Sequence, residues 1–86
     1  MEYIIWFKST TSAIMAEQCL LERKLQVGVL PLPSQISAGC GICLRVSPDE
    51  IKAALAALAE NNIGEIELFT RKRENGQLTY TKVKEI

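Results

Sequence analysis

Eighty-six residues, 48% of them hydrophobic, suffice for one core and hence one domain over residues 1–86. Ten basic and ten acidic side chains cancel and there is no histidine. The chain therefore lacks the basic stripe that displaces phosphate counterions, and neither nucleic acid nor an anionic membrane surface is an expected partner. Three cysteines, an odd number, do not make a secreted disulfide framework.

The first apolar run, within Glu2–Phe7, is short and has no basic segment before it, so it reads as a strand and not a signal peptide. No apolar run approaches the roughly 18 residues of a membrane span, and a cytoplasmic location is expected. With Tyr3, Ile4, Ile5, Trp6 and Phe7 in succession, this strand is apolar on both faces, as a central strand would be. Ser9-Thr10-Thr11-Ser12 then supplies hydroxyl oxygens that accept the free amides of a first helical turn. The helix predicted from there runs to about Leu25, with an apolar arc of Ala13, Ile14, Ala16, Leu20, Leu21 and Leu25.

A short second strand, Val27–Leu30, is ended by Pro31 and Pro33, because proline cannot donate to a ladder. Residues 31–39 read as a loop, and Ile42, Leu44 and Val46 alternate with Cys43 and Arg45 in a half-buried third strand. By that parity Ile42 and Leu44 turn toward the helices while Cys43 and Arg45 take the open face. Ser47-Pro48-Asp49-Glu50 has the pattern of a capping box opening a second helix, which buries Ile51, Leu55 and Leu58. Asn61-Asn62-Ile63-Gly64 closes it with residues able to take the left-handed C-cap. Glu65–Arg71 forms a fourth strand, and the Asn75-Gly76 turn returns Leu78–Val83 as a fifth.

This β-α-β-β-α-β-β order predicts an α+β domain of ferredoxin-like β-α-β-β-α-β type, with an added C-terminal edge strand. Two helices lie on one face of a largely antiparallel sheet. Only one face is then covered, and a homodimer or small oligomer is expected to cover the apolar side of the first strand.

The fold order brings the start of helix one and the start of strand three to one end of the domain. Cys40 therefore falls near the Ser9–Ser12 turn. The helix N-terminus, with its unpaired amides and partial positive charge, favours a thiolate there. Gly39 and Gly41 flank Cys40 and leave its sulfur uncrowded. Cys40 and Cys43 have redox or metal spacing, but a pair leading into a strand diverges, whereas a thioredoxin-type pair opens a helix. One C-x-x-C is half a zinc site, and with no histidine and Cys19 inside helix one, no metal is expected. Glu17 falls within the apolar arc, either as a partly desolvated acid or at the arc's wetted edge. Arg45 either holds an anion or pairs with a strand glutamate, and Arg71-Lys72-Arg73 reads as a solvated end. No phosphate loop, catalytic triad or paired-carboxylate motif is present, and no cofactor is expected.

The aliphatic first strand, Phe7-Lys8-Ser9, Ala13, Ala16-Glu17 with Leu20, Pro31-x-Pro33, Ser37 and Cys40-Gly41 together resemble a small bacterial family. That family is described as putative selenium/sulfur carrier protein-like, with relatives beside or fused to sulfur-carrier domains of the TusA type. The resemblance covers residues 1 to about 70. It implies that Cys40 is the carrier thiol, held as a persulfide or selenopersulfide, with Ser9, Glu17, Pro31, Pro33, Ser37 and Gly41 shaping its setting. Cys43 departs from the family pattern, where a small residue is usual. The leading expectation is a carrier of reduced sulfur or selenium served by donor and acceptor proteins, more a carrier than a turnover enzyme. The alternatives are a dimeric interaction module with inert cysteines and a Cys40–Cys43 thiol-disulfide switch.

Overall fold

The computed structural model describes residues 1–31 and 42–84. Its elements are β1 (Glu2–Phe7), α1 (Thr10–Glu22), β2 (Val27–Pro31), β3 (Ile42–Val46), α2 (Ile51–Glu60), β4 (Ile66–Glu74) and β5 (Gln77–Val83). The strands form one sheet in the order β2-β3-β1-β4-β5, every neighbouring pair antiparallel. The described residues thus form an α+β domain with two helices and a five-stranded antiparallel sheet.

β1 lies between β3 and β4, which explains why it is apolar on both sides. Ile5 and Phe7 join Leu44, Val46 and Leu68 beneath the helices. Ile4 turns the other way and packs with Cys43 and Phe69, edged by Trp6, Leu30 and Tyr80. Cys43 and Arg45 therefore lie on the face away from the helices, as the alternation predicts. β3 is antiparallel to both β1 and β2, so β1 and β2 run parallel with α1 as their crossover. β1 likewise separates β3 from β4, which α2 connects.

Both helices end in the same way. Past the C-cap Arg23, Lys24 takes a left-handed φ of 62° and Leu25 donates its amide to Leu20 O at 3.1 Å. Past Asn61, Asn62 has φ 57° and the Ile63 amide reaches Leu58 O at 3.0 Å. This is the Schellman arrangement, in which an apolar residue beyond the turn folds back on the last helical turn. Leu25 and Ile63 both pack on the core.

Helix one accordingly stops at Glu22 and not at Leu25. Its buried stripe is also narrower than predicted, being Ala13, Ala16 and Leu20 alone. Ile14 and Leu21 are 47% and 51% exposed. Each sits one residue, about 100° of helix, past a buried neighbour. In α2 the buried set is Ile51, Ala54, Ala57 and Leu58, and Leu55 is half-buried.

The predicted capping box is not formed. Ser47–Glu50 makes a turn closed by the Glu50 amide on Ser47 O at 3.1 Å, and α2 starts only at Ile51. The Glu50 carboxylate accepts the Gln26 amide at 3.2 Å and the Ser47 hydroxyl at 3.5 Å, neither of which is a capping-box bond to a helix amide. The Asn75-Gly76 turn does form, with φ of 51° and 78° and Glu74 opposite Gln77. Two positive φ values in a two-residue loop define the type I′ hairpin. Because this turn keeps the ladder paired to its end, β4 extends past Arg71 to Glu74, and Lys72 and Arg73 are exposed within it.

Candidate functional site

Of the residues singled out from the sequence, Ser9 and Pro31 lie at one end of the sheet. Phe7, the last residue of β1, is opposite Ile66, the first of β4. Pro31, the last of β2, is opposite Ile42, the first of β3. α1 starts at this end and α2 finishes there. Cys40, Pro33, Ser37 and Gly41 lie outside the described residues; Pro31 and Ile42, the described residues on either side of them in sequence, are both at this end.

Ser9 is the N-cap of α1, as predicted. Its backbone is extended (φ −121°, ψ 146°), and its Oγ accepts the Ser12 amide at 3.0 Å and donates to Ser12 Oγ at 3.0 Å. No acidic residue occupies the first turn of α1. The positive end of the helix dipole and its remaining free amides are therefore not neutralised from within the helix. Ser9→Ala is expected to cost about 1 kcal/mol in urea denaturation, the usual effect of losing a cap.

Beside this cap is a cleft of about 450 Å³ lined by Lys8, Ser9, Ser12, Asn62, Gly64 and Glu65. The Lys8 amide donates to Glu65 O at 3.3 Å, and the Lys8 ammonium stands 3.6 Å from the Glu65 carboxylate. Lys8, Asn62, Gly64 and Glu65 were not singled out as site residues from the sequence. The signal was available in the element order, since a crossover helix between parallel strands must end where the next one begins. Glu17 is half-buried and lines no part of this cleft. It stands two turns along α1 from Ser9, about 12 Å of helical rise. Pro31 is exposed at the end of the edge strand β2, with β3 and then β1 beyond it.

Cys43 has none of this access. It is fully buried between Trp6 and Leu30, its partners in register on β1 and β2. Burial pushes its thiol up to about 11, so it is neutral at physiological pH. The folded-state value lies above that of the unfolded chain. The resulting stability is complete below about pH 8.5, the ordinary thiol value, and is lost as pH rises through about 11. Wild type should therefore lose stability faster than Cys43→Ala over that window, as read from urea midpoints at each pH.

Cys19 belongs to the helix–helix contact, where its thiol donates to Ala57 O at 3.7 Å and accepts from Asn61 Nδ2 at 3.1 Å. Arg45 pairs with Glu2 at 3.4 Å, and Arg71 bonds the same carboxylate, so of the two readings of Arg45 the glutamate pair is the one formed. Among the described residues no group of three or more histidine, cysteine or acidic side chains is placed to hold a metal ion. Among them also, no helix is long and apolar enough to cross a membrane.

Residues 2–69 match the model of one protein family, described as putative Se/S carrier protein-like. No curated protein and no solved structure matches the chain.

Proposed function

The chain belongs to the putative Se/S carrier protein-like family, and on that premise we propose that it carries reduced sulfur or selenium on Cys40. The observation that supports the reading is the polar cleft at the α1 cap, at the sheet end where β2 finishes and β3 begins. A thiolate beside the amides and dipole of a helix N-terminus with no acidic residue in its first turn is stabilised against protonation. In the transfer step the Cys40 thiolate attacks the outer sulfur of a donor persulfide. A new S–S bond forms on Cys40, the donor's S–S bond breaks, and the donor leaves as a thiolate. Selenium would follow the same displacement. Delivery is the reverse displacement by an acceptor's nucleophile, so the protein serves a donor and an acceptor without turning over a substrate of its own.

Ser9 holds the helix end in this scheme. Pro31, Pro33, Ser37 and Gly41 shape the approach to the thiol, as the family resemblance implies. The same resemblance implies that Glu17, half-buried on α1, also shapes the setting of the thiol. The buried, neutral Cys43 favours a one-thiol carrier over a Cys40–Cys43 switch. The fold is read as ferredoxin-like with β5 added: the order β2-β3-β1-β4, with a strand inside each crossover, supports that assignment. Intact-mass spectrometry after incubation with a persulfide donor tests the function. A gain of one sulfur at Cys40 is the expected result. Loss of two hydrogens would identify the switch, and an unchanged mass would leave only an interaction module.

A further inference from the structure

The outer edge of β5 is built to pair with another strand, and we infer that it pairs with β5 of a second copy, centred on Tyr80. The type I′ turn makes Glu74 and Gln77 a hydrogen-bonded pair, so alternate residues of β5 from Gln77 onward bond β4. Leu78, Tyr80 and Lys82 consequently aim their amides and carbonyls outward. Among the described residues β5 ends the sheet, contains no proline and has no strand beyond it. An edge of this kind is a template for strand addition. The other edge, β2, is shorter and carries Gly28 and a terminal Pro31.

The sequence of β5 selects a second copy as the occupant. Tyr80 is the midpoint of Gln77–Val83, and Thr79 and Thr81 flank it symmetrically. Antiparallel pairing about a two-fold axis at Tyr80 uses the whole strand. It sets Tyr80 against its own counterpart and Thr79 against Thr81 of the partner subunit, both favourable cross-strand pairs. Lys82 then meets Leu78 of the partner subunit, so no like charges stand opposite one another. A register centred two residues later would oppose Lys82 to itself. Tyr80 is already held against the Ile4, Cys43 and Phe69 cluster, so its backbone is presented in a fixed position. The family match stops at residue 69, before β5 begins. The pairing therefore rests on this chain's own hairpin and not on the carrier reading.

A single seven-residue strand buries less than a standard interface of ~1,600 Å², so association is weak. Sedimentation velocity from micromolar to millimolar concentration, with amide exchange at both ends of the series, tests it. The mass should rise from one chain to two and stop, while the Leu78, Tyr80 and Lys82 amides become protected. Leu78→Lys places two lysines opposite each other twice per dimer and should weaken association about tenfold. Adding Lys82→Glu should restore it by creating opposite-charge pairs in this register alone. Leu78 is 38% exposed, so folding of these variants, checked by circular dichroism, should persist. A one-chain mass at millimolar concentration overturns the inference, as does a dimer indifferent to Leu78→Lys or not rescued by the second change. Protection appearing only with another protein overturns the choice of a second copy.

Discussion

Cys40→Ser should abolish sulfur loading from a persulfide donor, while Cys43→Ala and Cys19→Ala should load as wild type does. The asymmetry follows from access and ionisation. Attack on a persulfide needs a thiolate with a clear path to the donor sulfur. Cys43 is fully buried, and burial pushes its thiol up to about 11. At neutral pH roughly one part in 10⁴ would be thiolate, since each unit between pH and pKa is a factor of ten. Cys19 is engaged with Ala57 and Asn61 between the helices. Alanine is the informative replacement at position 43, because serine would bury a hydroxyl among Ile4, Phe69 and Trp6 at a cost of about 1–3 kcal/mol. Loading followed by mass spectrometry of the peptides assigns the added sulfur to its residue. Full loading of Cys40→Ser, or loss of loading in Cys43→Ala, would contradict the one-thiol account.

Phe7→Ala should destabilise the domain by about 3–5 kcal/mol, the usual range for removing a buried phenylalanine. Phe7 is 2% exposed and packs in the core beneath the helices, at the end of the central strand. A domain of this size has about 5–15 kcal/mol in total, so the variant should be close to unfolding. Leu21→Ala should change stability by no more than about 0.5 kcal/mol, because that side chain is 51% exposed. Urea denaturation of both variants checks the contrast. A cost below about 1 kcal/mol for Phe7→Ala, or equal costs at the two sites, would place the core wrongly.

These two residues also mark where the sequence was and was not informative. Phe7 is one of five consecutive apolar or aromatic residues, a pattern few positions other than a central strand accommodate. Leu21 looks like core in the sequence because apolar residues of α1 fall at Ala13 to Ala16 and Cys19 to Leu21 in consecutive runs, so its hydrophobic contrast is low. Only packing against α2 and the sheet selects Ala13, Ala16 and Leu20. The Asn75-Gly76 turn and the Ser9 cap were legible because each is decided by a few adjacent residues. The Ser47–Glu50 signal gives a turn and not a capping box: the Glu50 carboxylate accepts the Ser47 hydroxyl and also the Gln26 amide, a contact across 24 residues that no local pattern reveals.

The candidate site divides in the same way. Cap hydroxyls and strand parity placed Ser9 and Cys43 correctly, since both depend on local periodicity. The cleft's other wall, Asn62, Gly64 and Glu65, comes from the α2–β4 connection and exists only because two crossovers meet at one end. Glu17, whose place in the arc allowed either a desolvated acid or a wetted edge, is half-buried on α1, about 12 Å of helical rise from the cap. The family match over residues 2–69 agrees with the extent read from the Phe7-Lys8-Ser9 and Pro31-x-Pro33…Cys40-Gly41 segments.

The rate of Cys40 alkylation as a function of pH, read peptide by peptide with mass spectrometry, tests the central claim most directly. If the α1 N-terminus activates this thiol, its rate should titrate below the ~8.5 of a free cysteine, while Cys43 stays unreactive in the folded protein. A Cys40 profile centred at or above the free-cysteine value would contradict the account.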